Sequence, residues 1–255
     1  MSIRFSSLLR GLVSRIVYFL FSDFLVVSPS IFDGKRIIVI GPAKTVVEEL
    51  KNVKLTDFDV IVRMNRAIDV PLAGGNFRRV DVLFHNLKET GDRGAGKITS
   101  KKIRQCGTKI VMFPGGGAGK ASLVAKARIK MLFRCVRVKI GMVPADIYGR
   151  IRHSLSGFSP TTGMVALTYF MESKFQSLDI VGFTFFQTKY MEGYNDDLAR
   201  DEDGFAWAER RNIHNPKLEA NYFKVLLNMK AKEGLEINLG QYVISSLADI
   251  EKSGA

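Results

Sequence analysis

Short runs crowded with Ile, Val and Leu recur along the chain with no alternating polar residues: RIIVIG (36–41), FDVIVRM (58–64), RVDVLFH (79–85), TKIVMFP (108–114), VRVKIGMV (136–143), LDIVGF (178–183) and LEINL (235–239). A strand with one wet face alternates. Runs that do not alternate are buried on both faces, as in a parallel sheet covered by crossover helices. Helical patterns lie between several of them, over Ala43–Lys51, Lys120–Arg134, Thr162–Phe175, Pro216–Lys232 and Gln241–Lys252. The alternation predicts an α/β fold: a single Rossmann-like, doubly wound, mostly parallel sheet with its ligand at the carboxyl ends of the strands. No repeat and no Pro/Ser-rich linker divides the 255 residues, so residues 34–255 are expected to form one domain behind an N-terminal segment, 1–33.

That segment interleaves Arg4, Arg10 and Arg15 with Ile3, Leu8, Leu9, Leu12, Val13 and Ile16 at helical spacing. Such a helix suits a membrane interface, cations toward headgroups and apolar face inward, and equally suits packing on the domain. Its apolar stretch from Ile16 to Val27 is short for a span and carries Asp23. No small-residue cleavage site follows, so a signal peptide is not expected. The formal net charge of +13 favours anionic partners. Cys106 and Cys135 stand apart in apolar surroundings, outside any Cys-x-x-Cys or Cys/His cluster, which suggests neither zinc nor a disulfide framework and fits a reducing compartment.

The segment FPGGGAGKAS (113–122) invites a P-loop reading that its spacing refuses. Where the motif needs its first glycine there is Pro114, and where it needs a hydroxyl for Mg²⁺ there is Ala121. A strand-to-helix turn is the plain account, with an anion at the helix start as the functional one. Two loops look long, Lys88–Lys97 and Gln187–Trp207. The acidic run Asp201-Glu202-Asp203 resembles a metal-binding Asp-x-Asp but follows no apolar strand, and is expected to be solvated loop.

Three segments carry chemistry. In the first, 36–87, the strand-turn-helix Gly41-Pro42-Ala43 is a generic nucleotide-binding turn, and FDVIVRMNRA ends a strand on Arg63, Asn65 and Arg66. In the second, FSPTTGMVALTYFM (158–171), Ser159 is placed to cap a helix and Pro160 to start it, while Thr161, Thr162 and Gly163 bring hydroxyls and bare backbone to its positive end. In the third, RRNIHNPKLEANYF (210–223), Asn215 is the expected cap and Pro216 opens the helix. His214 stands just outside, where the helix end, Arg210 and Arg211 disfavour the imidazolium and keep the ring neutral, the form a general base needs. A lone His at a helix start can also be only a local cap or surface residue.

In order and composition these segments resemble the animal-type sialyltransferase family. The long sialyl motif is similar to IIVIG…FDVIVRMNRA…VDVLFH, the short one to SPTTGMVALTYF…LDIVGF, and the very short one to His214 and Glu219 in the spacing His-x4-Glu. The resemblance implies a metal-independent, inverting glycosyltransferase of variant GT-A type, needing no cofactor and using a CMP-activated keto-sugar acid as donor. Sialic acid is the expected sugar and Kdo the alternative. It also implies that His214 is the catalytic base, that Gly41, Asn65, Ser159, Thr161, Thr162 and Gly163 bind the donor, and that Arg63, Arg66, His85 and Glu219 support them. His85 is expected to be structural or acceptor-side, and Glu219 to complement its helix dipole.

Departures bear on this picture. The family's Gly-Asn-Ser turn is here Gly41-Pro42-Ala43, so one amide contact is missing. The cysteines that join the long and short motifs in secretory-pathway members are absent, which fits a cytoplasmic enzyme; the amphipathic N-terminal helix makes a peripheral place on the inner face of the membrane the expectation. The aromatic/His motif upstream of the base is not recognisable, although Trp207 lies in its region. Expected partners are the CMP-sugar and a glycan or glycolipid acceptor of surface-polysaccharide synthesis, with Lys126, Lys130 and Arg134 and the N-terminal helix facing anionic lipid. The rival readings are a catalytically silent CMP-binding relative and a basic Rossmann-like nucleic-acid-binding domain; the latter lacks any recognisable binding motif.

Overall fold

The computed structural model describes residues 2–72, 77–91, 94–195, 198 and 200–252, with backbone alone for 2–10, 209, 251 and 252. Arg4 and Arg10, part of the expected interfacial face, therefore have side chains outside the described residues. In chain order the elements are α1 (Ser2–Leu25), β1 (Arg36–Ile40), α2 (Val46–Glu49), β2 (Val60–Met64), β3 (Val82–Phe84), α3 (Ser100–Cys106), β4 (Ile110–Phe113), α4 (Ala121–Phe133), β5 (Lys139–Met142), α5 (Ala145–Ser154), α6 (Thr162–Met171), β6 (Ser177–Val181), α7 (Asp201–Arg211), α8 (Pro216–Lys232), β7 (Ile237–Leu239) and α9 (Gln241–Lys252). The strands form one seven-stranded sheet in the order β5-β4-β3-β2-β1-β6-β7. Every strand pairing in it is parallel.

The absence of alternation in the strands has its physical counterpart in two cores. Ile37, Val39, Val62, Val82, Phe84 and Met112 face α5, α6, α8 and α9, where Ile147, Val165, Phe223 and Val243 meet them. On the other face Ile38, Ile40 and Ile61 pack near α2, and Leu83, Val111 and Ile140 pack under α3 and α4. Burying both faces of the strands is the main driving force for this architecture. Residues after α1 join it as well: Val27 is buried, its amide donates to the Met142 carbonyl at 3.1 Å, and its carbonyl accepts from the Tyr169 hydroxyl at 3.1 Å.

Element bounds differ from expectation in places with identifiable causes. Asp201-Glu202-Asp203 is not solvated loop but the first turn of α7, and Arg210 and Arg211 close its last turn, so both ends complement the helix dipole. Asp201 accepts from the Lys189 amide and pairs with Lys44, each at 2.8 Å. Ser159 does not cap α6. Thr161 does, its hydroxyl accepting from the Met164 amide at 3.1 Å, and the helix ends at Met171, short of Phe175. Asn215 caps α8 as expected, accepting from the Leu218 amide at 3.0 Å.

Strand order reverses at β1, with β2 on one side and β6 on the other, which puts the topological switch point between β1 and β6. There the chains converge tightly. The Gly41 amide donates to the Val181 carbonyl at 2.7 Å, and a Cβ on Gly41 would lie 2.0 Å from the Gly182 carbonyl oxygen. Only a residue without a side chain fits. We expect Gly41→Ala to lower stability by about 3 kcal/mol, read as a fall in the urea midpoint. Gly149→Ala in α5, where an added methyl meets nothing within 4 Å, should be neutral or stabilising. Equal midpoints for the two variants would show that the β1–β6 junction yields without cost.

Candidate active site

A cavity of about 730 Å³ opens at the carboxyl edge of the sheet. Residues following β1 (Pro42, Ala43), β2 (Asn65, Arg66), β3 (Asn86, Leu87), β4 (Pro114, Gly115) and β6 (Gly182, Phe183, Thr184) line it, together with the start of α6 and His214. This is where a doubly wound sheet receives a ligand, at a size suited to a small organic molecule.

Asn65 stands at the end of β2 with φ 48, a left-handed conformation that Asn tolerates better than most residues. Its Oδ1 accepts from the Asn86 amide at 3.3 Å, and its side chain also hydrogen-bonds the Tyr194 hydroxyl. The backbone bend turns the amide from the strand ladder toward the cavity.

At the start of α6, Thr161 is held from below. Its amide donates to Glu219 Oε1 at 2.6 Å and its hydroxyl to Glu219 Oε2 at 2.7 Å. Glu219 is thus more than a dipole complement: it is 3% exposed and anchors the loop that begins α6. Burial pushes its carboxyl up from the ordinary 4.5 to about 7, against the two Thr161 hydrogen bonds that favour the charged form. Thr162 and Gly163 follow in the first turn and line the cavity. A methyl at Gly163 would come within 2.8 Å of the Phe183 ring, so glycine here lets that ring close on the helix end.

His214 lies on the same wall. Its Nδ1 is 2.6 Å from the Ser159 carbonyl oxygen, and the Ser159 amide donates to the Ile213 carbonyl at 2.9 Å. A carbonyl can only accept, so Nδ1 carries the proton and the lone pair resides on Nε2. That is the tautomer of a general base.

The cavity therefore gathers Asn65, Arg66, Thr161, Thr162, Gly163, His214 and Glu219 from the predicted residues. It does not gather Gly41, Ser159, Arg63 or His85. Gly41 serves the β1–β6 junction, and Ser159 holds His214 through its backbone. Arg63 is 1% exposed, donates from Nη1 to the Val70 carbonyl at 2.6 Å, and has its pKa lowered by burial to about 10, which leaves it a cation. His85 is also buried. Its Nε2 lies 3.1 Å from both the Ala95 and Gly96 carbonyls while Nδ1 accepts from the Leu87 amide at 2.9 Å, so it ties the backbone at Leu87 to that at Ala95 and Gly96.

Sequence reasoning missed Tyr190 and Tyr194. The segment carrying them pairs with the turn after β1, through Met191 N–H to the Pro42 carbonyl at 2.8 Å and Lys44 N–H to the Lys189 carbonyl at 3.0 Å. Their rings lie 5.1 Å apart at the cavity wall. Burial raises both phenols, Tyr194 to about 12, so both remain donors at neutral pH. Trp207 also lines the cavity, stacked on Phe186 and covered by the Arg211 guanidinium 5.2 Å from its ring. Two Tyr close together between β6 and α7 were the available signal. Lys120 and Gly115 from the failed P-loop reach the cavity too.

This is a doubly wound α/β protein whose switch-point cavity carries hydroxyl and amide donors beside a basic histidine. No protein-family model matches the chain, and no curated protein matches it. Among solved structures it is similar to a mammalian sialyltransferase in complex with Gal-beta-1-3GalNAc-ortho-nitrophenol, at 14% identity and TM-score 0.44 over 81% of this chain and 69% of that one. It is also similar to the sialyltransferase CstII from Campylobacter jejuni in complex with cytidine-5'-monophosphate, at 11% identity and TM-score 0.48 over 81% and 80% of the two chains.

Glu219 gives a pH test. Its folded pKa lies above its ordinary one, so its contribution to stability is complete below pH 4.5 and is lost as pH rises toward about 7. Glu219→Gln should flatten that part of the stability profile in urea titrations at stepped pH. An unchanged slope would mean that this carboxyl ionises normally in the fold.

Proposed function

We propose that the protein is an inverting, metal-independent glycosyltransferase that moves a keto-sugar acid from a CMP-activated donor to a hydroxyl of a glycan or glycolipid. The observation that carries this reading is the pairing of His214 Nδ1 with the Ser159 carbonyl on the wall that also presents Thr161 and Thr162 at the α6 N-terminus. The three ordered sequence motifs supply the donor class. Sialic acid is the sugar we favour, with Kdo sharing the same CMP activation.

In the proposed reaction the acceptor oxygen attacks the anomeric carbon from the face opposite the nucleotide. Its proton passes to His214 Nε2, while the bond to the phosphate oxygen breaks and CMP leaves as a phosphate monoester. The Ser159 carbonyl stabilises the imidazolium that forms. Negative charge growing on the phosphate is met by the α6 N-terminus, the Thr162 hydroxyl and the phenols of Tyr190 and Tyr194, donors already oriented before reaction. Asn65 contacts the nucleotide. Thr161, engaged by Glu219, positions rather than donates.

Two measurements test this. CMP at about a hundredfold over its Kd should raise Tm by roughly 5–10 °C, with UMP, GMP and ATP well behind; no response to any of them overturns the donor assignment. His214→Ala should cut CMP release to a glycan acceptor pool by roughly 10²–10⁴-fold while leaving the CMP-induced Tm rise intact. Unchanged turnover would remove His214 as the base.

A further inference from the structure

We propose that the outer face shared by α1 and α4 is a peripheral docking surface for an anionic lipid bilayer. The two helices lie side by side in the same direction. Ser14 Oγ donates to the Ala118 carbonyl at 2.6 Å and accepts from the Ser122 amide at 3.1 Å, at the start of α4, while Arg128 Nη1 donates to the Phe24 carbonyl at 3.0 Å further along both. Leu25, Val124 and Met131 are buried in this packing. Several large apolar side chains of the same helices are not. Phe19 is 85% exposed, Phe24 67%, Leu132 74% and Phe133 87%. Between the helices runs an apolar groove of about 500 Å³, lined by Val17, Phe21, Phe24, Ile129 and Leu132 with Arg128 among them. Large aromatic and aliphatic groups clustered in water mark an interaction surface.

Charge selects the occupant. Arg15, Lys126 and Arg128 come from the same two helices, and Lys101 and Arg137 lie exposed on neighbouring segments, whereas Asp23 is the one acidic residue on the described part of α1 and α4. Lys130 and Arg134 are paired with Glu89, whereas the others, Arg128 on the Phe24 carbonyl included, have no carboxylate partner among the described residues. An apolar centre fringed by cations matches an anionic headgroup layer over acyl chains. Among the described residues no helix is long and apolar enough to cross a membrane, so the face lies on the bilayer.

The same helices lead to the cavity. Lys120, just before α4, and Leu123, in its first turn, line it. Because α4 follows β4, its start marks the carboxyl edge of the sheet, and α1 runs on N-terminally from Ser14 past that start. Docking through this face brings the cavity mouth toward the lipid surface. An acceptor carried on a lipid would then be presented there, a consequence that rests on the proposed transferase reading; the docking itself does not.

The test is co-sedimentation of the full chain with vesicles of phosphatidylcholine alone or mixed with phosphatidylglycerol, at low and raised salt. We expect retention on the mixed vesicles only, weakened by salt, and reduced roughly tenfold or more in Phe19→Asp/Phe133→Asp and in Lys126→Glu/Arg128→Glu. Failure to bind mixed vesicles, equal binding to phosphatidylcholine, or undiminished binding by either variant overturns the proposal. So does light scattering that shows a dimer which Phe19→Asp/Phe133→Asp converts to monomer without any vesicle binding, since a second copy then covers the face. The CMP-induced Tm rise, measured on the same variants, should be unaffected; its absence in the wild type as well would count against the transferase reading and leave docking judged by the vesicles alone.

Discussion

Glu219 accepts from both the amide and the hydroxyl of Thr161, and this tie between α8 and the loop before α6 sets where the groups on that wall of the cavity stand. With Thr161 fixed, its hydroxyl is also in place to cap α6, and Ser159, two residues earlier, has its carbonyl against His214 and its amide against the Ile213 carbonyl. The tie carries a cost, because a carboxylate in a dry site loses its hydration, and here two short hydrogen bonds only partly restore it. The raised pKa is the visible remainder of that imbalance. An apolar residue at 219 would remove the buried charge but leave the Thr161 amide unpaired, a loss of comparable size.

The turns above β1 and β6 depend on a different constraint. β1 and β6 approach so closely at Gly41 and Gly182 that the chain beyond them has to diverge above the junction. The turn after β1 then finds its hydrogen bonds with the 189–191 segment, and this brings Tyr190 and Tyr194 over the switch point. Thus the space above the sheet is lined by the start of α6, by His214 and by the two phenols, Tyr190 lying near enough to Glu219 to feel its charge. Asn65, in its left-handed bend, lines the same space and hydrogen-bonds Tyr194.

How much of this was legible follows from how local each cause is. Strand runs buried on both faces and helices opened by Pro216 or patterned like 241–252 are written in consecutive residues, and the parallel doubly wound sheet could be read from them. So could the Asn215 cap. The cap of α6 could not, since Ser159 and Thr161 are equally competent locally and the choice falls to Glu219, distant in sequence. α7 was concealed for a similar reason: its acidic first turn looks like loop unless Arg210 and Arg211 are read as the other end of the same dipole. The Tyr pair needed knowledge of which turn their segment would meet, and the exposed aromatic residues of α1 and α4 became informative only once those two helices were seen to share a face.

Two arginines a few residues apart show why position along a strand outweighs residue type. Arg66 follows the Asn65 bend and lines the cavity. Arg63, inside β2, is sealed below it, with Nε and Nη2 unpartnered among the described residues. A buried guanidinium without a carboxylate is costly, and its pKa near 10 means it keeps its charge rather than shedding it. Its field acts on what lies close by, including the Tyr194 phenol, whose pKa it and Arg66 pull down against the larger effect of burial. A cation held beneath the cavity and another at its wall together bias the enclosed space toward anions before any ligand arrives. A phosphate-bearing donor, as proposed above, would enter a space whose field already favours it.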